Sequence, residues 1–271
     1  MTELQNKLLD ILVWFDAVCQ ENKLNYYLVG GTMLGAMRHQ GFIPWDDDID
    51  VGMPREDYKK LASILSTKKD GKYVLETPET DAKEYYYPCS KIYDTTTTLI
   101  ENTKAKIKRG IYIDVFPLDG IGDSQEEGKE NYKKIHRLHY FLLSRVTGIR
   151  KGRSFFKNAA VIMMKIIPEF LINNKRILKM LTTACQQRSF EKSSFVGNLV
   201  GAWQAKEIMP KVVFGTPTKV LFENVEVFGV ECPDEYLTYL YGDWRKLPPP
   251  EKQVSHHDFI LLDLNKPYMS N

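Results

Sequence analysis

Little in this chain of 271 residues points to a disulfide-stapled, exported or membrane-spanning protein. Its four cysteines, Cys19, Cys89, Cys185 and Cys232, lie far apart with no CxxC pair. That spacing suggests neither a zinc site nor a disulfide framework, and the simplest expectation is buried apolar thiols in a reducing cytoplasm. No uninterrupted apolar run approaches the ~20 residues needed to span a bilayer. Met1-Thr2-Glu3-Leu4-Gln5 has neither a basic start nor an apolar stretch, so no secretory signal is expected and the protein is placed inside the cell. A Walker loop is missing, which leaves an ATPase without support. Net charge is also small, at +2, while 43% apolar and 27% charged residues suit a chain with a sizeable core.

What the chain does have is Leu28-Val29-Gly30-Gly31-Thr32, followed after a short helical stretch by Pro44-Trp45-Asp46-Asp47-Asp48-Ile49-Asp50-Val51. Successive side chains of a strand point to opposite faces, so Asp48 and Asp50 share one face while Ile49 and Val51 turn toward the core. Oxygen ligands so placed suit Mg²⁺ or Mn²⁺, which takes one or two protein carboxylates and leaves other positions to substrate phosphates. Gly30 and Gly31 lack a Cβ, so backbone can approach a phosphate. Thr32 is placed to cap a helix Thr32–Arg38 whose N-terminus favours anions. A calcium loop would share the acids at Asp46, Asp48 and Asp50. It is excluded by Val51 where glycine is required, by Asp57 where glutamate is required, and by Pro54. The reading is metal-dependent phosphoryl chemistry.

Apolar spacing through Leu4, Leu8, Ile11, Leu12, Phe15 and Cys19 predicts a first helix over about Glu3–Asn22. Strands fit Tyr26–Val29, Ile49–Met53, Tyr73–Glu76, Cys89–Tyr93, Thr97–Ile100 and Ile111–Phe116, with a helix near Glu56–Ser66, which makes a mixed α/β core. In Ile111–Phe116 the aliphatic residues alternate with Tyr112, Asp114 and Phe116, so Asp114 faces away from the core stripe. It is the third carboxylate, for a second metal or as a general base. Adjacent carboxylates repel, so Asp46, Asp47 and Asp119 are placed outside direct ligation. Arg38 and Lys91 are the cations that could offset charge growing on phosphates, the alternative for each being a solvated surface charge. In His256-His257-Asp258 neighbouring side chains of an extended segment diverge, so at most one enters a site, and His257 is the candidate for touching substrate. His136 and His139, three apart with no third ligand nearby, are expected on a helix surface.

Gly30-Gly31-Thr32-Met33-Leu34-Gly35, then Arg38-His39-Gln40-Gly41-Phe42-Ile43-Pro44-Trp45-Asp46-Asp47-Asp48-Ile49-Asp50, resemble the signature of the LicD family of phosphotransferases. Ile111-Tyr112-Ile113-Asp114-Val115-Phe116-Pro117-Leu118-Asp119 is similar to the family's second acidic strand, and Tyr241-Gly242-Asp243-Trp244-Arg245 with Pro248-Pro249 to its C-terminal element. The resemblance implies an α+β, nucleotidyltransferase-like mixed sheet core with flanking helices. It implies transfer of a phosphorylated alcohol, most often phosphocholine from CDP-choline, to a sugar hydroxyl of a bacterial surface glycopolymer precursor such as teichoic acid, lipopolysaccharide or capsule, commonly carried on a lipid. Relatives in the fukutin group move ribitol phosphate, so the reaction class is better specified than the donor. Asp48, Asp50 and Asp114 would hold the metal and Gly30, Gly31 and Thr32 the phosphates, with Arg38, Lys91, Trp45 and His257 toward substrate. A choline group would want an aromatic cage, for which Trp45, Tyr85, Tyr86, Tyr87, Trp203 and Trp244 are available. A true nucleotidyltransferase, a sugar-nucleotide glycosyltransferase and a silent binding protein stay open as alternatives.

Three regions are expected: a catalytic core over 1–124, a basic helical insertion over 125–200, and 201–271 completing the core. Between Glu130 and Glu191 there are thirteen lysines and arginines and one acid, Glu169. With the apolar stretch Phe155–Ile167, this suggests peripheral membrane contact through 133–179, at about 1 kcal/mol per basic residue near an anionic leaflet. The alternative is a core-packing insertion with solvated charges. No nucleic-acid reader motif is present, and none is expected to bind.

Overall fold

The computed structural model describes residues 1–66, 71–80, 85–102, 107–146, 162, 173–255 and 259–268. Thr2 opens α1 (Glu3–Glu21) with a capping box: its hydroxyl accepts from the Gln5 N–H at 3.1 Å, and the Gln5 side chain accepts from the Thr2 N–H at 2.8 Å. Two otherwise orphaned donors are thereby satisfied. Leu8, Ile11, Leu12 and Phe15 form its buried stripe, each worth roughly 1.5–3 kcal/mol relative to exposure. The Gln5 amide also donates to the Asp46 carbonyl at 2.9 Å, tying α1 to the acidic loop.

The central sheet is seven-stranded and mixed. Its order is β1 (Tyr27–Leu28), β2 (Asp50–Pro54), β7 (Tyr112–Gly122), β4 (Ser90–Asp94) and β3 (Tyr73–Glu76), with β8 (Phe195–Gly197) on the far half of β7 and β9 (Ile208–Pro210) beyond it. Among the described strands of this sheet only β2 and β7 run parallel; the other pairings are antiparallel. Ile49, Val51, Ile113 and Val115 are fully buried, as their alternation predicts. That face is covered by α3 (Arg55–Leu65), whose Tyr58 hydroxyl meets Ser90 Oγ at 2.5 Å. The opposite face carries the acids.

Three expectations change. β7 extends well past Phe116, because its second half pairs with β8, an element far along the chain. The strand expected near Thr97 is β5 (Thr98–Glu101), and it joins β6 (Lys108–Arg109) and the C-terminal β12 (Phe259–Asp263) in a separate three-stranded sheet. His139 is buried rather than on a helix surface. It shares the inward stripe of α4 (Gln125–Val146) with Ile135 and Leu142, and burial, with His136 adding to it, pushes its imidazole down to about 4.

Beyond the central sheet lie α5 (Asn174–Cys185), capped by the Asn173 side chain, the short α6 (Lys211–Phe214), a hairpin of β10 (Thr218–Phe222) and β11 (Val225–Gly229), and α7 (Pro233–Tyr241). Among the described residues, buried apolar side chains form two clusters. One spans α1, the central sheet, the hairpin and α7; the other joins α4 and α5 with Ile121, Leu199, Val200 and Ile208. Most of the expected membrane segment, including 147–161 and 163–172, lies outside the described residues. Among the described residues no helix is long and apolar enough to cross a membrane.

Candidate active site

The register of three neighbouring strands builds the centre. Asp50 of β2 lies beside Asp114 of β7, and Asp114 lies opposite Lys91 of β4. Strands are 4.7–4.9 Å apart, so two carboxylates and an ammonium are forced into one row on one face. Lys91 Nζ donates to Asp114 Oδ1 at 2.6 Å and lies 3.5 Å from the Tyr112 ring centre and 4.5 Å from that of Tyr87. Both tyrosine hydroxyls donate to Glu101, at 2.7 and 3.2 Å. Burial works against the Lys91 charge, but Asp114 and its other neighbours raise its proton affinity overall. Lys91 is thus buried and directed at Asp114 rather than a solvated surface charge.

The glycine turn differs from expectation in its details. α2 (Gly30–His39) begins two residues earlier than predicted, and no side chain caps it. Thr32 Oγ1 instead accepts from the Asp50 N–H at 2.8 Å, pinning the acidic strand to the helix. Gly30, at φ +55°, donates its N–H to the Tyr236 hydroxyl at 2.9 Å. A Cβ on Gly30 would lie 3.3 Å from Asp50 Oδ2, and one on Gly31 would lie 3.0 Å from Asp46 Oδ2. The room left by these glycines is therefore taken by carboxylates, placed where the positive end of the helix dipole favours them. Asp46, expected as a loop residue outside direct ligation, does lie in the loop before β2, with its carboxylate against Gly31.

Asp48 comes from the loop preceding β2, since that strand begins at Asp50. With Asp47 and Tyr112 it lines a small pocket whose other walls are Leu4, Leu8, Leu99, Ile111 and Phe259. Asp50 has its proton affinity raised well above the usual carboxylate range, first by burial and then by Asp48, Asp114 and Asp46. Among the described residues no three His, Cys, Asp or Glu side chains are gathered closely enough to hold an ion as they stand. The donor chemistry nonetheless fits a hard cation. Several carboxylates compete for one partly buried space, and a divalent ion would relieve their repulsion.

Arg38 Nη1 donates to the Trp244 carbonyl at 3.0 Å and Nε to His39 Nε2 at 3.0 Å. It couples α2 to the C-terminal element. Trp45 is half-buried and edge-on to His39, with ring centres 6.3 Å apart. His257 lies outside the described residues. Asp119, expected with Asp46 and Asp47 outside direct ligation, is buried in β7 in a bidentate pair with Arg55 at 2.8 and 2.5 Å. Asp47 accepts from the Ser255 hydroxyl at 2.6 Å.

Sequence reasoning missed Tyr236, which α7 brings to the glycine turn, and Tyr241 at the end of the same helix. Tyr236 bonds Gly30, and the Tyr241 hydroxyl lies in the field of Asp50 and Asp46. Tyr241 belongs to the Tyr-Gly-Asp-Trp-Arg motif, which was the available signal. Cys89, read only as a buried thiol, lies 3.7 Å from Asp114 Oδ1. Glu207 was also missed. It accepts from the Trp203 N–H at 2.8 Å, and burial pushes its carboxyl up to about 8. Because this folded value lies above the unfolded one of 4.5, stability is lost as pH rises through the interval. Glu207→Gln is expected to melt higher than wild type at pH 8, by a margin that disappears near pH 4, in thermal melts across that range.

A family model for the LicD/FKTN/FKRP nucleotidyltransferase domain matches residues 23–144. The lipopolysaccharide cholinephosphotransferase LicD of Haemophilus influenzae is 32% identical over 262 residues, covering 95% of this chain and 96% of that protein. The ribitol 5-phosphate transferases FKRP of mouse and human are 53% identical over 34 residues, 12% of this chain and 7% of theirs. Similarity along nearly the full length of both chains, with the glycine turn and acidic strands meeting in one site, establishes that this chain belongs to the LicD family.

Proposed function

We propose that the protein transfers phosphocholine from CDP-choline to a sugar hydroxyl of a lipopolysaccharide or related surface glycopolymer precursor. The observation that carries the alcohol and the acceptor class is the full-length similarity to a lipopolysaccharide cholinephosphotransferase. The carboxylates crowded at the N-terminus of α2 support the reaction class. Asp48 and Asp50, with Asp114, would hold Mg²⁺ or Mn²⁺. When bound, such an ion offsets negative charge on the donor diphosphate.

The residues of the chain supply the rest. An acceptor hydroxyl attacks the phosphorus that bears the alcohol, the bond from that phosphorus to the CMP oxygen breaks, and CMP leaves. One of the clustered carboxylates takes the hydroxyl proton. Lys91 fixes Asp114, and Thr32 fixes the backbone at Asp50, so the carboxylates are held in place before substrate arrives. The local match to ribitol 5-phosphate transferases favours a second reading in which the alcohol is ribitol.

The test is CMP release from purified protein with CDP-choline, CDP-ribitol or CDP-glycerol, with a lipopolysaccharide or membrane fraction as acceptor. Metal-dependent release from CDP-choline, abolished by EDTA and restored by Mg²⁺, is expected. Release only from CDP-ribitol would replace the first reading by the second. A nucleotide-linked acceptor in place of CMP would mark a nucleotidyltransferase.

A further inference from the structure

The phosphocholine reading requires a place for a quaternary ammonium, and the structure narrows the aromatic rings that can supply one. Trp244 is buried, its indole N–H donates to Asp234 at 2.9 Å, and Arg245 already lies 4.4 Å from its ring centre. Tyr87 and Tyr112 are occupied by the Lys91 ammonium. Tyr85 is buried with its hydroxyl on the Glu76 and Cys89 carbonyls. Trp45 turns toward His39.

Trp203 and Tyr241 are different. Their ring centres lie 4.8 Å apart at an interplanar angle of 77°, which makes a two-walled corner. Trp203 is 42% exposed, so the corner is open to solvent. We propose that this Trp203–Tyr241 corner receives the trimethylammonium group of the donor's alcohol, an inference that rests on the phosphocholine reading.

Two observations support it. Tyr241 ends α7, and Tyr236 of the same helix bonds the Gly30 N–H, so the corner is fixed relative to the carboxylates by one rigid element. The carboxylates of Asp50 and Asp46 act on Tyr241, so a cation there lies in a field of favourable sign. The Lys206 ammonium donates to the Leu240 carbonyl at 3.4 Å and lies 5.7 Å from the Trp203 ring centre, farther than the 3.5 and 4.5 Å at which Lys91 occupies Tyr112 and Tyr87, so it leaves the Trp203 ring less occupied than those. Only a two-carbon bridge separates phosphate from nitrogen in phosphocholine. The ammonium of a donor bound at the carboxylates through its phosphate must therefore lie on an element fixed beside the glycine turn, as α7 is through Tyr236. A ring face within about 6 Å of a desolvated cation gives the attraction on which choline recognition depends.

The experiment uses the full-length protein, with Trp203→Leu and Trp203→Phe as variants, and follows the KM for CDP-choline alongside inhibition by CMP, which lacks the ammonium. Trp203→Leu is expected to raise the KM on the order of tenfold with kcat and CMP inhibition nearly unchanged, and Trp203→Phe to restore most of the loss. A KM that does not move, or one that moves in step with CMP inhibition, would overturn the corner while leaving the phosphocholine reading intact. Absence of any CMP release from CDP-choline by the wild type would overturn both.

Discussion

Asp50→Asn is expected to abolish turnover and at the same time to raise the melting temperature of the metal-free protein. Both halves follow from the same geometry. Asp50 is placed by register beside Asp114 and by α2 beside the glycine turn, and burial with Asp48, Asp114 and Asp46 holds its proton affinity well above the ordinary 3.8. A folded-state value above the unfolded one means that stability falls as pH rises from the usual carboxylate range through the raised value. An asparagine cannot ionise, so it escapes that cost at neutral pH. The loss of a carboxylate that would hold the divalent ion, whose charge offsets that of the reacting phosphates, should reduce the rate by at least about 10²-fold. CMP release and thermal melts at pH 4 and pH 8 test both halves. The variant should melt above wild type at pH 8 and level with it at pH 4, and added Mg²⁺ should stabilise wild type alone. Near-normal rates in the variant would remove Asp50 from the site.

Asp119→Ala should be the more destructive change to the fold, although it lies outside the chemistry. Arg55 and Asp119 form a bidentate pair with side chains only 8% and 2% exposed, fastening α3 to the middle of β7. Removing one partner leaves an uncompensated buried charge, which costs about 3–5 kcal/mol. In a chain of this length that lowers the melting temperature by roughly 10 °C. Arg55→Met combined with Asp119→Leu removes both charges and should recover most of the loss, because well-packed apolar side chains can replace a buried pair at little cost. Denaturant melts of the single and double variants decide this. Equal destabilisation in the double variant would show that the pair is needed for more than its mutual neutralisation.

Much of the site was legible because it is local. Gly30, Gly31 and the acids from Asp46 to Asp50 are close in sequence, and strand alternation alone turned Asp114 away from the aliphatic stripe. Asp46 was set aside because adjacent carboxylates repel. That argument is sound for a regular strand, but Asp46 precedes β2, where the loop carries it back onto Gly31. Lys91 was visible as a cation among apolar residues, yet its partner depends on the pairing of β4 with β7. Arg55 and Asp119 are 64 residues apart, and nothing local to either announces the other.

The sequence by itself determined the apolar stripe of α1, the aliphatic face of β7 and the chemistry of the acidic turn, because each depends on side chains whose neighbours are fixed by helical or strand periodicity. Only the tertiary structure decided which charges neutralise one another, that Thr32 holds a strand rather than capping a helix, and that Tyr236, from the far end of the chain, bonds the glycine turn. The physical reason is that hydrogen bonds and ion pairs act only across a few ångströms. Which groups come that close is set by strand register and helix docking, and these depend on the packing of the whole core rather than on any short stretch of sequence.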